Sequence, residues 1–94
     1  MIFVINNMKY DTDKMELISD KCKYLYSDSF IDGIKYQARN VKLWKSVKGN
    51  WLLTYDKNSI AHFGESIKEA FAKALLIKYD LSKYEELFGE LEEA

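Results

Sequence analysis

The chain contains no proline, one cysteine, one histidine and four glycines in 94 residues. Each scarcity removes a class of explanation. The glycines, at positions 33, 49, 64 and 89, stand far apart, so no glycine-rich loop is available to cradle a phosphate. No Gly/Ser or Pro-rich linker, repeat or low-complexity stretch divides the sequence, which reads as one domain over residues 1–94. A lone Cys22 has no internal disulfide partner, and a reducing cytoplasm is the expected compartment. Cys22 and His62 are forty positions apart, with no HExxH and no paired CxxC. Neither a metal nor a cofactor is therefore expected. No apolar run approaches the ~20 residues that span a bilayer. The opening MIFVI is too short for a signal-peptide core and has no small-residue cleavage region. The expectation is a cytoplasmic protein without membrane contact.

What is present argues for a packed core. Hydrophobic residues make up 48% of the chain and aromatics 15%, too apolar for a disordered tail. The length allows one core of modest size. The net charge of −1 conceals a polar distribution: residues 1–57 carry ten basic and seven acidic side chains, and residues 58–94 four basic and eight acidic. Two kinds of partner would use such a dipole, and a plain solvated surface would show it too.

Hydropathy patterning gives the element order β-β-α-β-β-β-α-α. MIFVINNMKYD is a hairpin turning at Asn6-Asn7, because Asn tolerates the positive φ of two-residue turns. Met15, Ile18, Cys22 and Leu25 recur at helical spacing, and Asp13 with Glu16 has the spacing of a capping box. A helix is predicted from Asp13 to about Asp20, with residues 21–26 open between helix and strand. SDSFIDG, residues 27–33, is turn-like. Strands follow in IKYQA, VKLWKSV and WLLTY, with a turn at Gly49-Asn50 and another at Lys57-Asn58-Ser59 before a short edge strand IAHF. Ser66 and Glu69 have the spacing of a second capping box. It opens a helix whose stripe is Ile67, Ala70, Phe71, Ala74, Leu75 and Lys78. Ser82 and Glu85 repeat it before a shorter helix ending near Gly89. The fold class is α+β, a small antiparallel sheet packed against two or three helices.

No constellation for catalysis stands out, and the chain reads as a non-enzyme. Cys22 lies on an apolar stripe, as a structural cysteine does. Nothing marks Asp11/Asp13 or Glu85/Glu86 as a carboxylate pair held in a dry cleft. Three sets of residues suit binding. Trp44, Trp51 and Tyr55 are candidate apolar anchors, since Tyr and Trp offer rigid contact area with a polar handle. Glu85, Glu86, Glu90, Glu92 and Glu93 form an acidic end with no basic residue after Lys83, suited to a basic groove. Lys35, Arg39, Lys42, Lys45 and Lys48, interleaved with aromatics, are the alternative, a nucleic-acid surface. Strand parity weighs against that alternative, because Lys42 and Lys48 alternate to the face opposite Lys35, Arg39 and Lys45.

Three motifs occur in order: the hairpin into KYDTDKMELI, the strand–turn–strand LWKSVKGNWLL, and the ending YDLSKYEELFGELEEA. In this the chain resembles a family of small proteins from phages, plasmids and integrative elements of low-GC Gram-positive bacteria. That family includes candidate anti-CRISPR proteins. Asn7 stands where the family usually has glycine, Met15 where it has a small alanine, and residues 21–38 match poorly. The resemblance implies a mobile-element origin. It also implies a non-enzymatic inhibitor that binds a host defence complex such as a Cas effector by protein–protein contact. A nucleic-acid-binding accessory module and a small structural or homodimeric protein of the element are the alternatives.

Overall fold

The computed structural model describes residues 1–27, 33–57 and 61–94. Among the described residues eight strands precede two helices: β1 (Ile2–Ile5), β2 (Met8–Asp11), β3 (Glu16–Ser19), β4 (Leu25–Ser27), β5 (Lys35–Gln37), β6 (Arg39–Lys45), β7 (Trp51–Lys57), β8 (Ala61–Ile67), α1 (Glu69–Tyr79) and α2 (Leu81–Phe88). The centre is a four-stranded antiparallel sheet in the order β3-β6-β7-β8, and β1-β2 and β4-β5 form separate two-stranded ribbons. The expected α+β class, with antiparallel strands packed against helices, is what the chain adopts.

Local chemistry explains the first turn. Asn6 and Asn7 both sit at positive φ, 52° and 62°, the geometry that matches a hairpin to the right-handed twist of its strands. The next segment departs from expectation. Residues 12–14 form one 3-10 turn, and β3 replaces the predicted helix from Asp13 to Asp20. The Asp13/Glu16 capping box does not form. Instead Asp11 accepts the Asp13 N–H at 3.1 Å, and Glu16 begins the strand opposite Lys45. A register shift between Leu17 and Ser19 explains the misleading pattern. It turns both Ile18 and Ser19 inward, which erases the alternation that signals a strand. The open segment 21–26 resolves as irregular chain leading into β4. The turns expected over 27–33 and 57–59 lie largely outside the described residues.

One face of the sheet carries the main core. Val41 and Leu43 of β6, and Trp51, Leu53 and Tyr55 of β7, pack with Ile18, Cys22 and Ala38 against Ala72, Leu75 and Leu76 of α1. Tyr84 and Phe88 of α2 close one end. Cys22 is 5% exposed, and burial pushes its thiol pKa up, the environment of a structural cysteine. On the opposite face Phe3 of the β1–β2 hairpin lies on Gly64. A Cβ there would come within 2.8 Å of the Phe3 ring, so only glycine lets the hairpin settle on β8.

Both predicted caps of the helices are corrected. β8 runs on through Gly64 to Ile67, so Ser66 pairs with Leu52 inside the sheet and Lys68 becomes the N-cap without a side-chain bond. At α2 the cap is Asp80, whose carboxylate accepts from the Lys83 N–H at 3.4 Å, from Ser82 at 3.4 Å and from the buried Ser19 hydroxyl at 2.7 Å. Burial alone would raise the Asp80 carboxyl. The hydrogen bonds from Ser19 and the Lys83 N–H, with the Lys21 charge, outweigh it and hold the pKa below the usual carboxylate range. A depressed folded-state pKa adds stability above the unfolded-chain value of about 3.9, and that stability is lost as pH falls through the folded value. Asp80→Ala should therefore cost about 0.5–2 kcal/mol at neutral pH. The deficit in urea midpoint relative to the parent should shrink as the pH is lowered below about 3.9. A deficit constant with pH would show that the carboxylate charge is not what caps the helix.

Candidate functional site

The two faces of the sheet present different surfaces, and α1 supplies the first. Its buried side is Ala72, Leu75 and Leu76. The expected stripe is therefore rotated: Ala70, Phe71, Ala74 and Lys78 are exposed, and of that stripe Leu75 alone belongs to the buried set on this helix. Phe71 is 45% exposed and Ile77 42%. The solvent side of α1 is thus Ala70, Phe71, Ala74 and Ile77 with the exposed Lys78, while Lys73, its side chain 40% exposed, pairs with Glu69. The solvent side of a surface helix is normally polar and charged, so this run of apolar residues outside the core departs from the usual pattern. Leu81 and Leu87 of α2 are also exposed. Sequence reasoning missed this surface by assigning one apolar stripe to the core. The signal was there, because residues 70–72 and 74–77 are all apolar, more than one face can hold.

The acidic set lies at the end of the same layer. Glu86 pairs with Lys83 at 2.9 Å, Glu85 is half-buried, and Glu90, Glu92 and Glu93 are exposed beyond the helix. The aromatic set is divided. Trp51 and Tyr55 are 3% and 2% exposed and belong to the core, so neither is free to anchor a partner. Lys45 Nζ lies 5.3 Å over the Trp51 ring. The Tyr55 hydroxyl donates to Glu65 at 2.7 Å, and burial together with that bond raises its pKa. All seven tyrosines are buried or half-buried.

The basic set does not gather on one surface. Lys35 is on β5, Arg39 opens β6, Lys48 is in the β6–β7 turn and Lys45 covers Trp51. Register shifts between Arg39 and Lys42. Lys42 alone lines the cleft on the outer face of the sheet.

That cleft, about 350 Å³, lies between the hairpin and strands β6 to β8. Trp44 is half-buried, and its Nε1–H donates to Thr54 Oγ1 at 2.8 Å, which holds the indole across β7. Asp56 and His62 face each other in the β7–β8 register. His62 Nδ1 is 2.5 Å from Asp56 Oδ1, and Asn40 Nδ2 donates to Asp56 Oδ2 at 2.8 Å. Those bonds, Asn40's first and His62's second, hold the Asp56 carboxyl below its ordinary pKa. His62 is the exposed edge-strand residue its position suggested, but its orientation by Asp56 was not anticipated. Alternation within β7 and β8 was the available signal, and it depended on knowing the pairing.

Among the described residues no helix is long and apolar enough to cross a membrane, and no three His, Cys, Asp or Glu side chains gather as a metal site would require. Comparison with known proteins returned no match to a family model, a curated protein or a solved structure.

Proposed function

We propose that this protein is a non-enzymatic inhibitor of a host defence complex, docking on a Cas-type effector through the outer side of its helical layer. The observation that carries the reading is the uncovered apolar side of α1, with Phe71 and Ile77 nearly half exposed. Contiguous apolar surface of this kind is characteristic of interaction sites. The occupant follows from charge: Glu69 opens α1, Glu85 and Glu86 lie on α2, and Glu90, Glu92 and Glu93 follow it. A partner whose apolar patch is rimmed by Lys and Arg complements it, and nucleic-acid-handling effectors carry such rims. The resemblance to mobile-element proteins points to the same class of partner.

The test is the affinity of the full chain for a panel of purified Cas effectors. Charge reversal at Glu85, Glu86 and Glu90→Lys should weaken the bound effector by about 100-fold or more at low salt. The parent's binding should itself fall as ionic strength shortens the screening length. Circular dichroism should show the same fold in both. Binding unchanged by reversal, or no binding across the panel, overturns the reading.

A further inference from the structure

The cleft on the opposite face of the sheet plays no part in that docking and has its own chemistry. Two flat aromatic side chains line it, Phe3 from the hairpin and Trp44 from β6, while Phe63 turns to the other face and stacks on Tyr55. The Thr54 bond to Nε1 fixes the indole, so a ring laid on it meets a rigid surface. Along the rim runs the ordered polar row Asn40, Asp56 and His62. Asn40 holds a left-handed φ of 52° to reach its place, a conformation that costs a non-glycine residue about 1 kcal/mol or more.

The donors left over define the ligand. With Nδ1–H donated to Asp56, the free His62 nitrogen is Nε2, a second donor when the ring is an imidazolium, and that side chain is 59% exposed. Lys42 is exposed in the same cleft, and its ammonium pairs with no carboxylate among the described residues. Asp56 is the only acid among the lining residues, and both of its oxygens already accept hydrogen bonds. A cationic ligand therefore finds no free carboxylate. A purely apolar one leaves Lys42 and His62 unused, and a bare anion leaves the aromatic walls unused. The geometry points to a binding site for a nucleotide unit, its base on the Trp44 wall and its phosphate held by Lys42 and by the His62 ring in its imidazolium form. A cleft of about 350 Å³ is within the size range of small-ligand sites, about 300–1,000 Å³. Stacking on an aromatic platform with a cation for the phosphate is also the chemistry by which proteins hold one nucleotide of a single strand. The unit is therefore either a free mononucleotide or a residue of single-stranded nucleic acid.

Titration of the isotopically labelled full chain with adenosine monophosphate, adenosine, inorganic phosphate and a short single-stranded oligoadenylate tests this by NMR. The Trp44 indole N–H and the His62 ring should shift with the monophosphate, with half-saturation below about 1 mM. Adenosine and phosphate alone should each bind about ten-fold more weakly or worse, the loss of about 1.4 kcal/mol that removing one anchor predicts. Lys42→Gln and His62→Gln, both at exposed positions, should each weaken the monophosphate about three- to ten-fold, with amide spectra confirming the fold. Oligoadenylate binding about ten-fold tighter than the monophosphate assigns the site to single strands, and equal or weaker binding assigns it to free nucleotides. No shift at Trp44 with either ligand up to about 10 mM overturns the inference. So does phosphate or adenosine alone binding as tightly as the monophosphate, or both variants binding like the parent.

Discussion

Leu53→Ala should lower the free energy of unfolding by about 2–5 kcal/mol, the range for deleting a buried leucine whose surroundings cannot collapse. Leu53 is 0% exposed in the central strand, opposite Leu43 in the β6–β7 register. It shares one cluster with Ala72, Leu75 and Leu76 of α1, so the cavity would open where the sheet and helix meet. Domains of this kind are stable by about 5–15 kcal/mol in total, so one methyl-rich side chain carries a substantial part of the margin. The urea midpoint should fall with the denaturant slope unchanged. A loss under about 1 kcal/mol would show that α1 does not seat on this face of the sheet.

Replacing the exposed pair, Phe71→Glu with Ile77→Glu, should have the opposite profile. Both side chains are more than two-fifths exposed, and such substitutions usually stay within about 0.5 kcal/mol each in stability. Under the docking proposed above, binding to the effector should nevertheless fall by about 100-fold or more, because an apolar anchor at the centre of an interface carries a disproportionate share of the affinity. The informative measurement pairs the urea midpoint with the dissociation constant on the same preparations. Unfolding of the double variant would place these residues in the core. Full binding with an intact fold would remove α1 from the interface. If α1 mediates self-association instead, sedimentation of the parent will show a dimer that the variant lacks.

Much of the scaffold was legible wherever the decisive interactions are local. Asn6-Asn7 takes the positive φ that its residue type allows. β6 and β7 follow from β-branched and aromatic runs around the turn before Trp51, where Gly49 sits at φ 89°. The acidic end remains beside α2, which stops at Gly89 as expected. Even a failure can be traced to local chemistry. Asp13 and Ser82 were chosen as caps by spacing, but Asp11 and Asp80 lie nearer the N–H groups they serve.

The sequence alone determined the α+β class, the strand-rich middle, the two C-terminal helices and the division of charge between the halves, because propensity, turn chemistry and composition act over a few residues. Tertiary structure decided the rest. It made residues 16–19 a strand, since pairing with β6 outweighed a helical spacing that a bulge had imitated. It turned Leu75 and Leu76 inward and left Phe71 and Ile77 outside, since a helix with large apolar residues on two sides has no single preferred face until a sheet covers one. It also brought Asn40, Asp56 and His62 together across three strands. Their alignment depends on the long-range register of the ladders, which no local pattern specifies.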